Sequence, residues 1–255
     1  MAAVVAFVLT SLLTTESLQA WGWRVAFLVG AAIVPIGLYI RRRLPEELEK
    51  SDSVTAFETT PLESWSVASL GLLILGSMTI STYTLGYMNT FAQESLNLSP
   101  RVALGATLVN GVALMVAAPL SGMLCDRYGR KPVMLCGVAA LIILVIPCFH
   151  IVIDMRTVAS LYIVTGVLSV GVQIAAVAVL TAVAETLPRS VRSIGLGAIY
   201  ALAIAIFGGS AQSMVSLLVE ATGSSLAPGF YMTGALVIGG IAMLAFRTVP
   251  RAYAR

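Results

Sequence analysis

The residues with chemistry in them crowd into one short stretch of an otherwise apolar chain: Gly122-Met-Leu-Cys-Asp126-Arg127-Tyr-Gly129-Arg130-Lys131-Pro132. An acid with arginines one and four places later suits an ion pair. Such an acid at the end of an apolar helix needs a partner, which Arg127, Arg130 or Arg192 can supply. Gly122 would let two helices approach closely, Gly129 would allow a backbone turn that other residues resist, and Pro132 would open the next helix. Nothing here is a nucleophile with a base. The lysine does not stand in a phosphate-loop arrangement. The single histidine, His150, falls near the end of an apolar run and reads as an interface residue. Cys125, Cys136 and Cys148 are spaced 11 and 12 apart, which fits neither a CxxC pair nor a zinc pattern. They read as small apolar packing residues. No catalytic constellation, metal site or cofactor site is expected, and the chain does not read as an enzyme.

The elements that would carry this stretch are hydrophobic helices. Of 255 residues, 58% are hydrophobic and 11% charged, and the mean hydropathy is +0.96. A soluble domain carries about 25% charged residues, and this chain has too few to clothe a polar surface. Asp, Glu, Lys and Arg are absent from 64–93, 102–125, 132–153, 157–184, 193–219 and 221–246, and from the shorter run 25–40. Each long gap holds a span of about 20 residues. Backbone groups in hydrocarbon must be satisfied internally, so these segments are helices, and they lack the alternation of a transmembrane barrel. The fold class expected is an all-α, polytopic membrane helix bundle.

The charges give that bundle an orientation. With 41–63 in the cytoplasm, twelve of the 15 basic residues fall inside: Arg41, Arg42, Arg43, Lys50, Arg127, Arg130, Lys131, Arg189, Arg192, Arg247, Arg251 and Arg255. Only Arg24, Arg101 and Arg156 fall outside. The positive-inside rule therefore predicts a multi-pass protein of the cytoplasmic membrane with a cytoplasmic C-terminus. Trp21 and Trp23 would anchor the outer interface and Trp65 the inner one. The basic residues spread along one membrane face, so no nucleic-acid partner is expected.

Along the chain, residues 2–13 make an apolar run too short for a comfortable span. No basic segment precedes it, which disfavours a cleaved signal peptide. It reads as the second half of a helix whose beginning is missing. A second helix is expected over 23–40, with Pro35 as a possible kink. The stretch 1–40 is thus expected to be the remnant of an N-terminal bundle. Residues 41–64 form a polar cytoplasmic linker, 65–248 a six-helix bundle and 249–255 a cytoplasmic tail. Spans are predicted at 66–90, 101–124, 132–153, 157–182, 194–218 and 226–246.

The Gly122–Pro132 stretch resembles the signature loop of the major facilitator superfamily, whose pattern is roughly G-x-x-x-D-R-x-G-R-[RK]. The family's Asp corresponds to Asp126 and its arginines to Arg127 and Arg130. The resemblance implies a gating loop on the cytoplasmic face that stabilises the outward-open state. Glu185-Thr-Leu-Pro188-Arg189-Ser-Val-Arg192-Ser-Ile-Gly195-Leu-Gly197 is similar to the family's E-x-x-P-x-x-x-R-x-x-G-x-G stretch. By that likeness Glu185 and Arg192 complete the charge cluster near Asp126. Trp21-Gly22-Trp23-Arg24, Phe27-Leu28, Gly30 and Arg41-Arg42-Arg43-Leu44-Pro45-Glu46 resemble the metabolite:H+ symporter group of that superfamily, as does Ser81–Phe91. The likeness runs from the late fifth helix to the twelfth and leaves helices 1 to 4 absent.

That likeness implies alternating access between two six-helix halves around a central site. Polar residues within spans are then the default site candidates: Thr79, Ser81, Thr82, Tyr83, Tyr87, Asn110, Gln173, Tyr200 and Gln212. Tyr83 and Tyr87, four apart, share a helix face; they line a cavity, or serve as interfacial aromatics or packing. Asn110 and Gln173 line it or join helices by hydrogen bonds. The spans after residue 64 hold no ionisable side chain beyond tyrosine and terminal His150. A proton-coupling group would then lie in the missing half, with a proton gradient as the energy source and no cofactor. The expected function is symport of a small organic acid or osmolyte. The alternative is a truncated, non-transporting membrane protein with an interaction or structural role. Expected partners are the bilayer, the small organic acid or zwitterion, and the missing N-terminal half.

Overall fold

Exclusion of charge from hydrocarbon sets the helix lengths, and the computed structural model shows them. It describes residues 8–9, 17–43, 61–187 and 192–246. The expected 2–13 segment, apart from Val8 and Leu9, the 44–60 part of the linker, Pro188, Arg189 and the 249–255 tail lie outside the described residues. The chain forms two units, Met1–Phe57 and Glu58–Arg255. Among the described residues there is no strand, and seven helices are long and apolar enough to cross a membrane.

The first unit holds α1 (Ala20–Tyr39). Its start is a π-turn over Leu18–Gly22, and the α-helix Trp23–Ala31 gives way at Ala32 to Ile33–Arg43. The break has a local cause. Pro35 has no N–H for the carbonyl four residues back, which is that of Ala31.

The second unit holds the other six: α2 (Ser66–Glu94), α3 (Pro100–Tyr128), α4 (Arg130–Met155), α5 (Val158–Thr186), α6 (Arg192–Thr222) and α7 (Ala227–Ala245). The helix leading into α2 begins at Pro61, and proline suits a first turn. The connections are short. Gly129 alone separates α3 from α4, with φ +94° and ψ +160°, a region that only glycine occupies cheaply. Pro132 consequently falls third in α4, still within the turn whose N–H groups have no intrahelical acceptor. Between α4 and α5, Arg156 turns left-handed at φ 48° and Thr157 caps α5 in a reciprocal capping box with Ser160.

The central helix is α5, packed most extensively on α3 and α4 and also on α2, while α7 packs on α2 and α4. Ile74, Phe91, Met134, Leu168, Val172 and Leu236 fill the core. In lipid no hydrophobic force pulls helices together, so close backbone approach through small residues does the work. Gly239 of α7 faces Ser77 of α2, and Gly137 of α4 lies against Ala175 of α5. Gly122 is not such a point. A side chain there would meet open space, because Gly122 lies on a side of α3 that the neighbouring helices of this unit leave open. Cys125 and Cys148 are buried as expected of packing residues, but Cys136 is exposed on α4.

Two glycines on α7 separate contact from exposure. Gly239→Leu would drive a side chain into Ser77 and is expected to destabilise the unit by about 1–3 kcal/mol. Gly234→Leu enters open space and should change little. Thermal denaturation in lipid nanodiscs checks the contrast; equal effects would contradict the packing described.

Candidate functional site

The charged stretch closes around one arginine. Arg130 stands at the first position of α4, where the one-residue turn brings it back over the end of α3. Its Nη1 donates to Asp126 Oδ1 and to the Cys125 carbonyl, each at 3.1 Å. Its Nε donates to Glu185 Oε1 at 3.1 Å, and Nη2 lies 3.0 Å from the same oxygen. One guanidinium thus ties together the end of α3, the start of α4 and the end of α5. Arginine suits this because its donors are fixed in a planar fork and its charge is permanent. The two acids are not equal partners. The Asp126 side chain is 75% exposed and the Glu185 side chain 35%, so solvent screens the Asp126 contact more strongly.

The other residues expected in this cluster also make contacts of their own. Arg192 donates from Nε to the Leu187 carbonyl at 3.4 Å, closing the end of α5. The Arg127 guanidinium lies 5.4 Å from the centre of the Tyr128 ring. Lys131 does something its sequence context does not announce. Its Nζ donates to the carbonyls of Leu244 at 3.2 Å and Phe246 at 2.8 Å. A cation there satisfies carbonyls left open at the end of α7 and meets the negative end of its dipole. Consecutive residues, Arg130 and Lys131, therefore bind the start of α4 to α5 on one side and α7 on the other.

Polar groups within the spans fall into three sets. On α2 the hydroxyls of Ser77, Thr79, Ser81, Thr82 and Thr84 all donate to carbonyls three or four residues earlier, so their protons serve the helix itself. Ser81 and Thr79 are also buried and are not part of an open surface. On α3 and α5, Ser169 Oγ donates to Asn110 Oδ1 at 2.7 Å, and Ser121 Oγ donates to the Ile174 carbonyl at 2.7 Å. The Asn110 amide nitrogen keeps its donors. Gln173 stands one turn beyond Ser169, half-buried near the middle of α5, with no hydrogen bond among the described residues. On α2 and α6, Tyr83 packs with Thr79 against Gly208, and the Gln212 amide adjoins Gly86.

The two tyrosines of α2 part company. Tyr83 is half-buried, whereas Tyr87 is 3% exposed and has its hydroxyl 3.5 Å from Glu94 Oε2. Tyr87 packs inside this unit and does not join its open surface. A four-residue spacing puts two side chains on one side of a continuous helix, but Tyr87 is the turn between the helical segments Pro61–Gly86 and Met88–Glu94, and it ends up covered. Tyr200 and Gln212 are exposed on α6. A π-turn at Ile204–Gly208 separates them, and its extra residue per turn resets which side the later residues occupy. His150 is exposed, with Nδ1 3.8 Å from Asp154 Oδ2. Among the described residues no cluster of three or more histidines, cysteines and acids could hold a metal. Ser169 and Lys131 are the residues that sequence reasoning left without a role. Ser169 could have been flagged by its place one turn before Gln173; nothing local points from Lys131 to a partner more than a hundred residues away.

Comparison with known proteins agrees with this architecture. The pattern of the Major Facilitator Superfamily matches residues 70–255. A citrate-proton symporter of Klebsiella pneumoniae is 29% identical over 94% of this chain and 56% of its own length. An alpha-ketoglutarate permease of Escherichia coli is 30% identical over 96% of this chain and 57% of its own. An ectoine/proline transporter of Corynebacterium glutamicum is 25% identical over 95% and 51%. The chain spans about half the length of these curated relatives. The relatives are transporters, and they fit the metabolite:H+ symporter group. With the family pattern covering all but the first helix and the linker, and with the helical bundle and charged one-residue turn described above, this chain belongs to the major facilitator superfamily.

Proposed function

We propose that this chain forms the second bundle, with the end of the first, of a proton-coupled transporter for a small organic acid or zwitterion. The observation that carries the reading is the carboxamide pair Asn110 and Gln173. Both sit within spans, on helices that run the same way, and both hold donors that the unit itself leaves unengaged. A polar donor kept inside a span is costly unless a ligand, water or another helix meets it. Carboxylate oxygens are acceptors and match such donors. The relatives' names, citrate, alpha-ketoglutarate, ectoine/proline and proline/betaine, all denote carboxylates. The spans of the second unit carry no Asp, Glu, Lys or Arg between their ends. The group that takes the proton and the charge that balances the substrate therefore belong to the other half of the bundle, which is the partner this reading requires. Alternating access then consists of rocking the two halves, with the Arg130 cluster and Gly129 turn locking one face in the cytoplasm.

The second reading is a membrane protein with an interaction or structural role that does not transport. Uptake by vesicles containing the chain together with a first bundle separates the two. Gradient-driven uptake of labelled citrate, alpha-ketoglutarate, proline or betaine is expected when the chain is supplied with a first bundle, and its absence in every case would defeat the transport reading. Asn110→Ala or Gln173→Ala should lower uptake efficiency about tenfold, the cost of one lost hydrogen bond to a charged group. Unchanged efficiency in both would remove them from the site.

The gating role has a different signature. Asp126→Asn and Glu185→Gln touch no substrate, so the maximal uptake rate should fall while the half-saturating concentration stays within about twofold. Glu185→Gln should be the more harmful because it is the less exposed partner. A large affinity loss at an unchanged maximal rate would contradict a locking role.

A further inference from the structure

The second unit carries a groove apart from the polar residues assigned above to the substrate. It lies between α4 and α5 at the end of the bundle away from Gly129, and has a volume of about 260 Å³. Cys148, Ile151 and Met155 of α4 form one wall, Ile163 and Val167 of α5 the other, with Thr157 at the mouth. We propose that this groove holds one acyl chain of a bilayer phospholipid, whose phosphate sits on Arg156.

Three features point to that occupant. The first is direction. Cys148 and Met155 are seven residues apart on one helix, so the groove runs about 10 Å along the helix axis. It therefore reaches most of the way through one leaflet's hydrocarbon, which is about 15 Å deep. A lipid chain lies in this direction; a soluble ligand would need an opening to water. The second is chemistry along the walls. They are almost wholly apolar, and the hydroxyls of Thr157 and Ser160 are already joined to each other and to the capping box of α5. No wall group is left seeking a polar partner. The third is the mouth. Arg156 is flanked in sequence by Met155 and Thr157, which both line the groove. Its left-handed backbone places it in the turn between the helices, and its Nε donates to the Ile153 carbonyl at 3.2 Å. The two Nη groups remain for a phosphate, which arginine meets with paired donors. Asp154 is close by but faces His150 at 3.8 Å. An apolar slot with an arginine in the turn between two of its lining residues complements an anionic phospholipid.

The test is native mass spectrometry of the whole chain extracted from vesicles of dioleoyl phosphatidylglycerol. The wild type should retain one phospholipid through detergent exchange. Val167→Phe fills the deep end and Arg156→Gln removes the phosphate partner; each should lower the retained fraction about tenfold. Ile143→Phe, on the exposed face of α4 outside the groove, should retain lipid as the wild type does. Arg156→Gln lies in an exposed turn and stays informative if Val167→Phe fails to fold. Wild-type retention in both groove variants, or loss in the Ile143 variant as large as theirs, would overturn the proposal. So would displacement of the lipid by glycerol phosphate at matched concentration, since that would put the affinity in the headgroup alone.

Discussion

Charge cannot enter the hydrocarbon, and the second unit is organised by where its charges go instead. Its spans run from one polar end to the other without Asp, Glu, Lys or Arg between their ends, so every ionised group is pushed to a helix end. At one of those ends a single guanidinium gathers them. Arg130 reaches Asp126, the Cys125 carbonyl and Glu185. Its neighbour Lys131 reaches the last carbonyls of α7. The one-residue turn at Gly129 makes this possible. A longer loop would let α4 begin farther from α3 and leave Arg130 too far out to bridge three helix ends.

The interior follows a weaker rule. Helices in lipid gain nothing from hydrophobic burial against each other, so their contacts rest on small residues and hydrogen bonds. Gly239 against Ser77 and Gly137 against Ala175 supply the first. Ser169 to Asn110 and Ser121 to Ile174 supply the second, both joining α3 to α5. The hydroxyls of α2, by contrast, turn back on their own helix. The second unit is thus held by ion pairs at one end and by sparse polar contacts within.

Much of this was legible in the sequence, for a physical reason. Charge exclusion acts residue by residue, so the gaps at 102–125 or 132–153 predict α3 and α4 to within a few residues. Gly129 was legible because its backbone demand is local. That Arg130 reaches Asp126 and Glu185 at once was not, since it depends on where α5 ends relative to the α3–α4 turn. Tyr87 looked equivalent to Tyr83 until neighbouring helices covered it, and Gly122 looked like a contact point on a face the unit leaves open. Lys131 and Ser169 found their partners across helices, at separations where spacing along the chain carries no information.

The central claim is that Arg130 couples the α3–α4 turn to the end of α5 through Glu185. A double-mutant cycle of Arg130→Gln and Glu185→Gln, read as melting temperature in lipid nanodiscs, tests it most directly. If the two side chains act as one contact, each single variant melts lower than the wild type, and the double variant melts no lower than the worse single. If the losses of the two single variants simply add in the double, the two residues act independently and the account fails.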